Sequence, residues 1–227
     1  MSGCELFLQQ IDDALVHFPG LKREVTEAKT FLKGEIHIID REGKHWESYL
    51  IEIHPLELFP KRFPVVYETG GKIEPISDWH INADGSCCIK VLPEEILSCL
   101  QGITLTSFLQ QEVLPYFFNQ THRKVEGYYV NGEYSHGLVG IYESYAKLLR
   151  VDADVKKVIL HIILIIKGIK PGRTHICFCG SGKKFRRCHR EIFDTVSSIG
   201  KDILKEHARI IAVAAQLQNL LPLIEEV

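Results

Sequence analysis

The chain has 227 residues, 45% hydrophobic and 25% charged, with a formal net charge of -2. That balance fits one ordinary domain with an appendage, or two small domains, and excludes a disordered or collagen-like chain. It also supplies no global basic field of the kind that holds nucleic acid by its phosphates, so a nucleic-acid partner is not expected.

At the N-terminus, Met1–Glu5 lack the cationic head and apolar stretch of a secretory signal. Apolar positions at Leu6, Leu8, Ile11, Ala14, Leu15 and Phe18 predict an amphipathic helix, stopped by Pro19-Gly20. Residues 31–40 and 46–54 read as two strands around a glycine-containing turn at 40–44. A third strand follows at 64–68, framed by Pro60, Pro64 and Gly70-Gly71. Residues 72–92 have little periodicity and predict a long ordered loop, of the kind that often carries function. Helices are expected at 93–100, 104–119 and 138–149, then a final apolar element within 150–170. Its most apolar run, Val158–Ile166, is about half the roughly 20 residues that a membrane span needs. A soluble cytoplasmic protein without a membrane partner is therefore expected. Pro171-Gly172 marks a boundary, and the apolar periodicity of 191–227 predicts one long amphipathic helix or a helical pair.

Seven cysteines, at 4, 87, 88, 99, 177, 179 and 188, are an odd and uneven set, which favours metal binding or catalysis over disulfides. Cys177, Cys179, Cys188 and His189 supply three thiolates and an imidazole, a closed tetrahedral set for structural zinc. Gly180 and Gly182 permit the tight turns between them. This segment closely resembles the SEC-C zinc motif, in which the matching three cysteines and histidine bind zinc. Its basic run Lys183-Lys184-Phe185-Arg186-Arg187 reads equally well as a contact surface for an acidic partner or as a solvated face.

A second pattern lies in Asp78-Trp79-His80 through Asp84-Gly85-Ser86-Cys87-Cys88-Ile89. A cysteine with a histidine nearby is a candidate nucleophile, although a cysteine in apolar company is more often inert core. The order helix, meander, proline-framed strand, long loop, cysteine and helices resembles the ubiquitin-conjugating-enzyme fold. Leu58-Phe59-Pro60-Lys61-Arg62-Phe63-Pro64 is similar to the segment before that family's third strand. Asp84 to Ile89 is similar to the stretch ending at its active cysteine. The resemblance covers residues 1–150 and implies an α+β fold with Cys88 as the thioester-forming residue. The family's His-Pro-Asn falls on Asp78-Trp79-His80, so His80 stands in place of the asparagine assigned to oxyanion stabilisation or loop ordering. Asn82 and Asp84 are expected to shape the loop, Trp79 to pack, and Cys4 and Cys99 to be structural or incidental. His122 and His136 are candidates for approaching the site, with a surface role the commoner explanation.

Gly132–Gly137 is similar to the downstream region of bacterial relatives, which occur beside activating-enzyme and ubiquitin-like genes in systems linked to phage defence. The resemblance therefore implies a conjugating enzyme with an activating-enzyme-like partner, a ubiquitin-like modifier and an unknown target. Two alternatives stay open: a catalytically inactive modifier-binding protein on the same fold, and a zinc-stabilised adaptor for translation or secretion machinery. The organisation expected is a catalytic domain over 1–150, a connecting element over 151–172, the zinc motif over 173–190 and a C-terminal helix over 191–227.

Overall fold

The computed structural model describes residues 1–130 and 132–226. They form two compact units, Met1–Lys90 with Ser98–Glu133, and Val91–Leu97 with the chain from Tyr134 onward.

In the first unit, helix α1 (Gly3–His17) begins with a capping box. The Ser2 hydroxyl accepts from the Glu5 amide at 3.1 Å, and the Glu5 carboxylate accepts from the Ser2 amide at 2.8 Å. Phe7, Ile11 and Ala14, one helical turn apart, are fully buried. Four strands follow: β1 (Leu21–Val25), β2 (Thr30–Ile39), β3 (His45–His54) and β4 (Val65–Glu68). They form one antiparallel sheet in chain order. Alternation places Leu32, Ile36, Ile38, Tyr49, Ile51, Ile53 and Val66 in the core, as period-2 geometry requires. The strands expected from residues 31, 46 and 64 match β2 to β4. Strand β1 carries Lys22, Arg23 and Glu24 and has no apolar alternation to reveal it. Its place comes from pairing with β2, Leu21 opposite Gly34.

The chain passes between the units within α2 (Leu92–Leu100). A single helical rod then runs through α3 (Leu105–Phe108), a π-helical stretch over Leu109–Val113 and α4 (Leu114–Glu126). Thr104 caps it, its hydroxyl accepting from the Ser107 amide at 3.1 Å. The π turn immediately precedes Pro115, which stands in the first turn of α4. The rod outlasts the expected 104–119 and stops at Gly127, which adopts φ +82°. Leu105, Phe108, Leu109 and Phe117 complete the first core.

The second unit holds α5 (Leu138–Leu149), α6 (Val155–Ile166), α7 (Arg190–Ser197), α8 (Lys201–Ala214) and α9 (Leu221–Glu225). The apolar run of 158–166 is α6, a buried helix whose Val158, Ile159 and Ile162 are fully enclosed. Three features differ from the sequence reading. Residues 134–149 pack into the second core, so the first unit ends before 150. Helix α6 is central to that core rather than a connector, and Cys177 and Phe185 of the zinc segment share it, so Pro171-Gly172 divides nothing. The C-terminal region is three helices instead of one or two, broken where Gly200 takes φ +101° and Gln216 φ +58°. Among the described residues, no helix is long and apolar enough to cross a membrane.

Candidate functional site

The loop carrying Cys88 is built by local polar chemistry. The Asp84 carboxylate accepts from the Ser86 amide at 3.0 Å and the Ser86 hydroxyl at 2.6 Å, forming an Asx turn. Those bonds hold the Asp84 carboxyl below the usual range. The Asn82 side chain donates to the Ser86 hydroxyl at 3.0 Å, and backbone bonds between Asn82 and Ser86 close the turn at Gly85. Asn82 and Asp84 thus shape the loop as the sequence indicated.

The turn sends the chain back antiparallel to itself, with Ile81 opposite Cys87, while Ser86 faces Tyr67 of β4. The Cys87 amide donates to the Val66 carbonyl at 2.7 Å, and the Cys88 amide to the His80 carbonyl at 2.8 Å. Alternation along this extended segment separates the two thiols. Cys87 is only 7% exposed, and burial pushes its thiol up to about 12. Cys88 is half-buried. Since the thiolate is the nucleophile, Cys87 is poorly placed to react near neutral pH.

His80 adopts φ +52°, ψ +41°, a conformation uncommon outside glycine. Its carbonyl accepts from Cys88 N–H and also from the Tyr116 hydroxyl at 2.9 Å. Its ring lies 3.3 Å from the Glu133 carboxylate and 4.9 Å, centroid to centroid, from Tyr129. The backbone therefore joins the two residues singled out from the sequence, His80 and Cys88. His122 hydrogen-bonds the Tyr128 carbonyl and packs against Phe118 and Tyr128, whereas His136 belongs to the second unit. Cys99 lies in the first core, and the Cys4 thiol is pushed up by burial and by Glu57 beside it.

Five residues holding this loop were invisible to motif reading. Gln120 donates to the Trp79 carbonyl at 2.9 Å, and Arg123 donates to the Asp78 carbonyl. With Tyr116 they form a row on α4 that meets three successive carbonyls. The Arg123 guanidinium also lies over the Trp79 ring, 4.2 Å from its centroid. Beyond Cys88, Lys90 pairs with Glu112 at 2.6 Å and hydrogen-bonds Ser98 at 3.0 Å. Glu112 rides on the π-helical stretch and is 9% exposed. The available signal was the spacing 116, 120, 123, which puts three polar side chains on one face of a helix.

The second unit holds the cysteine–histidine cluster. The ligand atoms of Cys177, Cys179, Cys188 and His189 all lie within 4.8 Å of one another. The His189 Nδ1 is 3.4 Å from Cys177 Sγ and 3.1 Å from Cys188 Sγ, and Cys179 Sγ is 3.6 Å from Cys188 Sγ. A tetrahedral zinc site with bonds of about 2.0–2.3 Å sets its ligand atoms roughly 3.5–3.8 Å apart, so these spacings are close to what zinc requires. A short hairpin makes them possible: Ile176 pairs with Lys184, and Gly180 and Gly182 take φ +77° and +70°. Opposite the sulfurs, His189 Nε2 meets the Leu149 carbonyl at 2.7 Å. A carbonyl can only accept, so the proton sits on Nε2 and Nδ1 is left as a metal ligand. Burial pushes the Cys177 thiol up to about 11, so a metal ion held here would have to displace the proton of that thiol.

The SEC-C motif family matches residues 173–191. No curated protein and no solved structure matches the chain. Residues 173–191 carry a SEC-C motif whose three cysteines and one histidine are compatible with zinc.

Proposed function

We propose that the chain is a ubiquitin-like protein conjugating enzyme that carries its modifier as a thioester on Cys88, with a structural zinc ion in the second unit. The observation that supports this most is the division of labour between adjacent thiols. Cys87 is committed to the core, while Cys88 is half-buried at the end of a loop braced on both sides. The four-stranded meander before that loop and the helices after it agree with the order expected of the ubiquitin-conjugating fold. The likeness of residues 132–137 to bacterial relatives favours a place in an antiphage conjugation system. There an activating-enzyme-like protein and a ubiquitin-like modifier would be the partners.

The chemistry asks little of the site. The Cys88 thiolate attacks the modifier's C-terminal acyl carbon, a new C–S bond forms, and the donor thiolate leaves. One thioester replaces another, so the exchange is nearly isoenergetic. A target amine then attacks the same carbon, sheds a proton and expels the Cys88 thiolate, leaving an amide. His80, joined to Cys88 through its carbonyl, is assigned to the tetrahedral oxyanion of that step. Its Nε2 lies 3.3 Å from the Glu133 carboxylate, which competes with an oxyanion for that ring N–H and so favours the alternative of a modifier-binding protein.

A charging assay separates the readings. The full chain is incubated with the source organism's activating enzyme, modifier and ATP, and separately with a ubiquitin-type modifier bearing a synthetic C-terminal thioester. We expect a thiol-sensitive adduct on non-reducing gels in wild type and Cys87→Ala, and none in Cys88→Ala. His80→Ala should charge but transfer poorly. No adduct from donors that charge another carrier would leave the chain as a modifier-binding protein.

A further inference from the structure

Helix α4 presents a polar row whose targets are not side chains. Tyr116, Gln120 and Arg123 lie at i, i+4 and i+7, on one face of the helix. Each donates to a different backbone carbonyl, and the carbonyls are consecutive: His80, Trp79 and Asp78. The row is itself stitched together. The Tyr129 hydroxyl sits 2.8 Å from the Arg123 guanidinium and 3.4 Å from the Gln120 side-chain oxygen. Gln120 is fully buried, and Tyr116 and Tyr129 are nearly so. A buried glutamine needs bonding partners, and here both ends of its amide have them.

What the row holds is the segment that receives Cys88. The His80 carbonyl accepts from Tyr116 on one side and from the Cys88 amide on the other. One phenol therefore fixes the carbonyl that orients Cys88. We propose that Tyr116, Gln120 and Arg123 are positioning residues for Cys88: they lock the Asp78–His80 backbone and, through the His80 carbonyl, set where the Cys88 thiol points. The consequence for transfer rests on the conjugating-enzyme reading, whereas the positioning itself does not.

The row also accounts for His80 lying in the left-handed region. Gln120 and Arg123 fix the two carbonyls before it, those of Trp79 and Asp78, and the backbone must turn sharply to bring its own carbonyl to Tyr116 and Cys88. A left-handed residue makes that turn, and it persists only where surrounding bonds over-determine it.

The test uses the full chain and two readouts. Tyr116→Phe keeps the ring and removes the hydroxyl, Gln120→Met keeps the volume and removes the amide, and Arg123→Lys keeps a cation near Trp79 but loses the fork. Tyr49→Phe is the control. Its hydroxyl is also buried, bonded to Thr121 at 3.0 Å, but away from the loop. We expect the Cys88 amide to exchange hydrogen about tenfold faster in Tyr116→Phe and Gln120→Met, as loss of one hydrogen bond predicts, and less so in Arg123→Lys. Tyr49→Phe should leave that amide unchanged. In charging kinetics, kcat should fall about tenfold in Tyr116→Phe with KM for the donor thioester unchanged, since no substrate contact is removed. If Tyr116→Phe accelerates Cys88 exchange no more than Tyr49→Phe does, the row is ordinary packing and the proposal is overturned. If wild-type protein never charges, the conjugating-enzyme reading fails, and the exchange comparison still decides the row.

Discussion

The two cysteine sites are assembled on opposite principles. All four residues of the cysteine–histidine cluster fall between residues 177 and 189, and a single hairpin with two left-handed glycines brings them together. The Cys88 loop turns on local bonds, but it is held in place by residues 36, 41 and 45 positions away along the chain. A site that closes on itself is written in its spacing. A site that closes on the rest of the fold is written in topology, which spacing does not show.

The largest test of this contrast is metal removal. Structural zinc in small Cys/His modules supplies on the order of 10 kcal/mol of binding free energy, which is also folding free energy. Stripping the ion with a chelator, or replacing Cys177 with Ser, should therefore release residues 173–199 from their packing. Amides of 173–199 should lose hydrogen-exchange protection while those of β2 and β3 keep theirs. The purified chain should hold one zinc per molecule by elemental analysis. Equal loss of protection in β2 and β3 would mean that the cluster is not the local device its geometry indicates.

The second test acts on the distant bracing. Lys90→Met strands the Glu112 carboxylate, 9% exposed, without its 2.6 Å partner. Removing one side of a buried ion pair costs on the order of 3 kcal/mol, and the double variant Lys90→Met, Glu112→Leu should recover most of it. Urea unfolding measures both. A cost below about 1 kcal/mol would place the pair among surface bridges.

This pair also marks the limit of what was legible. The sequence showed Lys90 just after a candidate cysteine and Glu112 inside a predicted helix. It did not show the π turn that carries Glu112. Strands β2 and β3 were readable because alternating apolar residues declare a buried face, and β4 because prolines and glycines frame it. Strand β1 was not, because a charged edge strand is defined by its neighbour. The periodicity of residues 190–226 was real but silent about breaks, since Gly200 weakens a helical pattern only at one position. The four residues of the cysteine–histidine cluster needed nothing beyond their own thirteen residues. The α4 row needed the fold first, because its targets are carbonyls, which every residue has.

The smallest expected effect concerns another contact made across the first unit. Glu47 of β3 meets Lys72 at 2.6 Å and Lys124 of α4 at 3.5 Å. Its hydrogen bond with Lys72 holds its carboxyl at about 2, below the ordinary 4.5. A carboxyl lowered by folding stabilises the native state fully above its unfolded value, and the stabilisation is lost as pH falls through the folded value. The window is therefore from 4.5 down to about 2. The two side chains are 41% and 27% exposed, so screening by water limits the contribution to about 1 kcal/mol. Lys72→Met should lower unfolding free energy by about that amount at pH 7, and the gap should narrow as pH falls toward 2. It should not close completely. Lys72 also donates to the Ser48 carbonyl at 2.7 Å, and that bond does not titrate with Glu47. Glu47→Gln should show the titrating part alone. A gap independent of pH in Lys72→Met would assign the whole effect to the Ser48 bond and leave Glu47 an ordinary surface carboxylate.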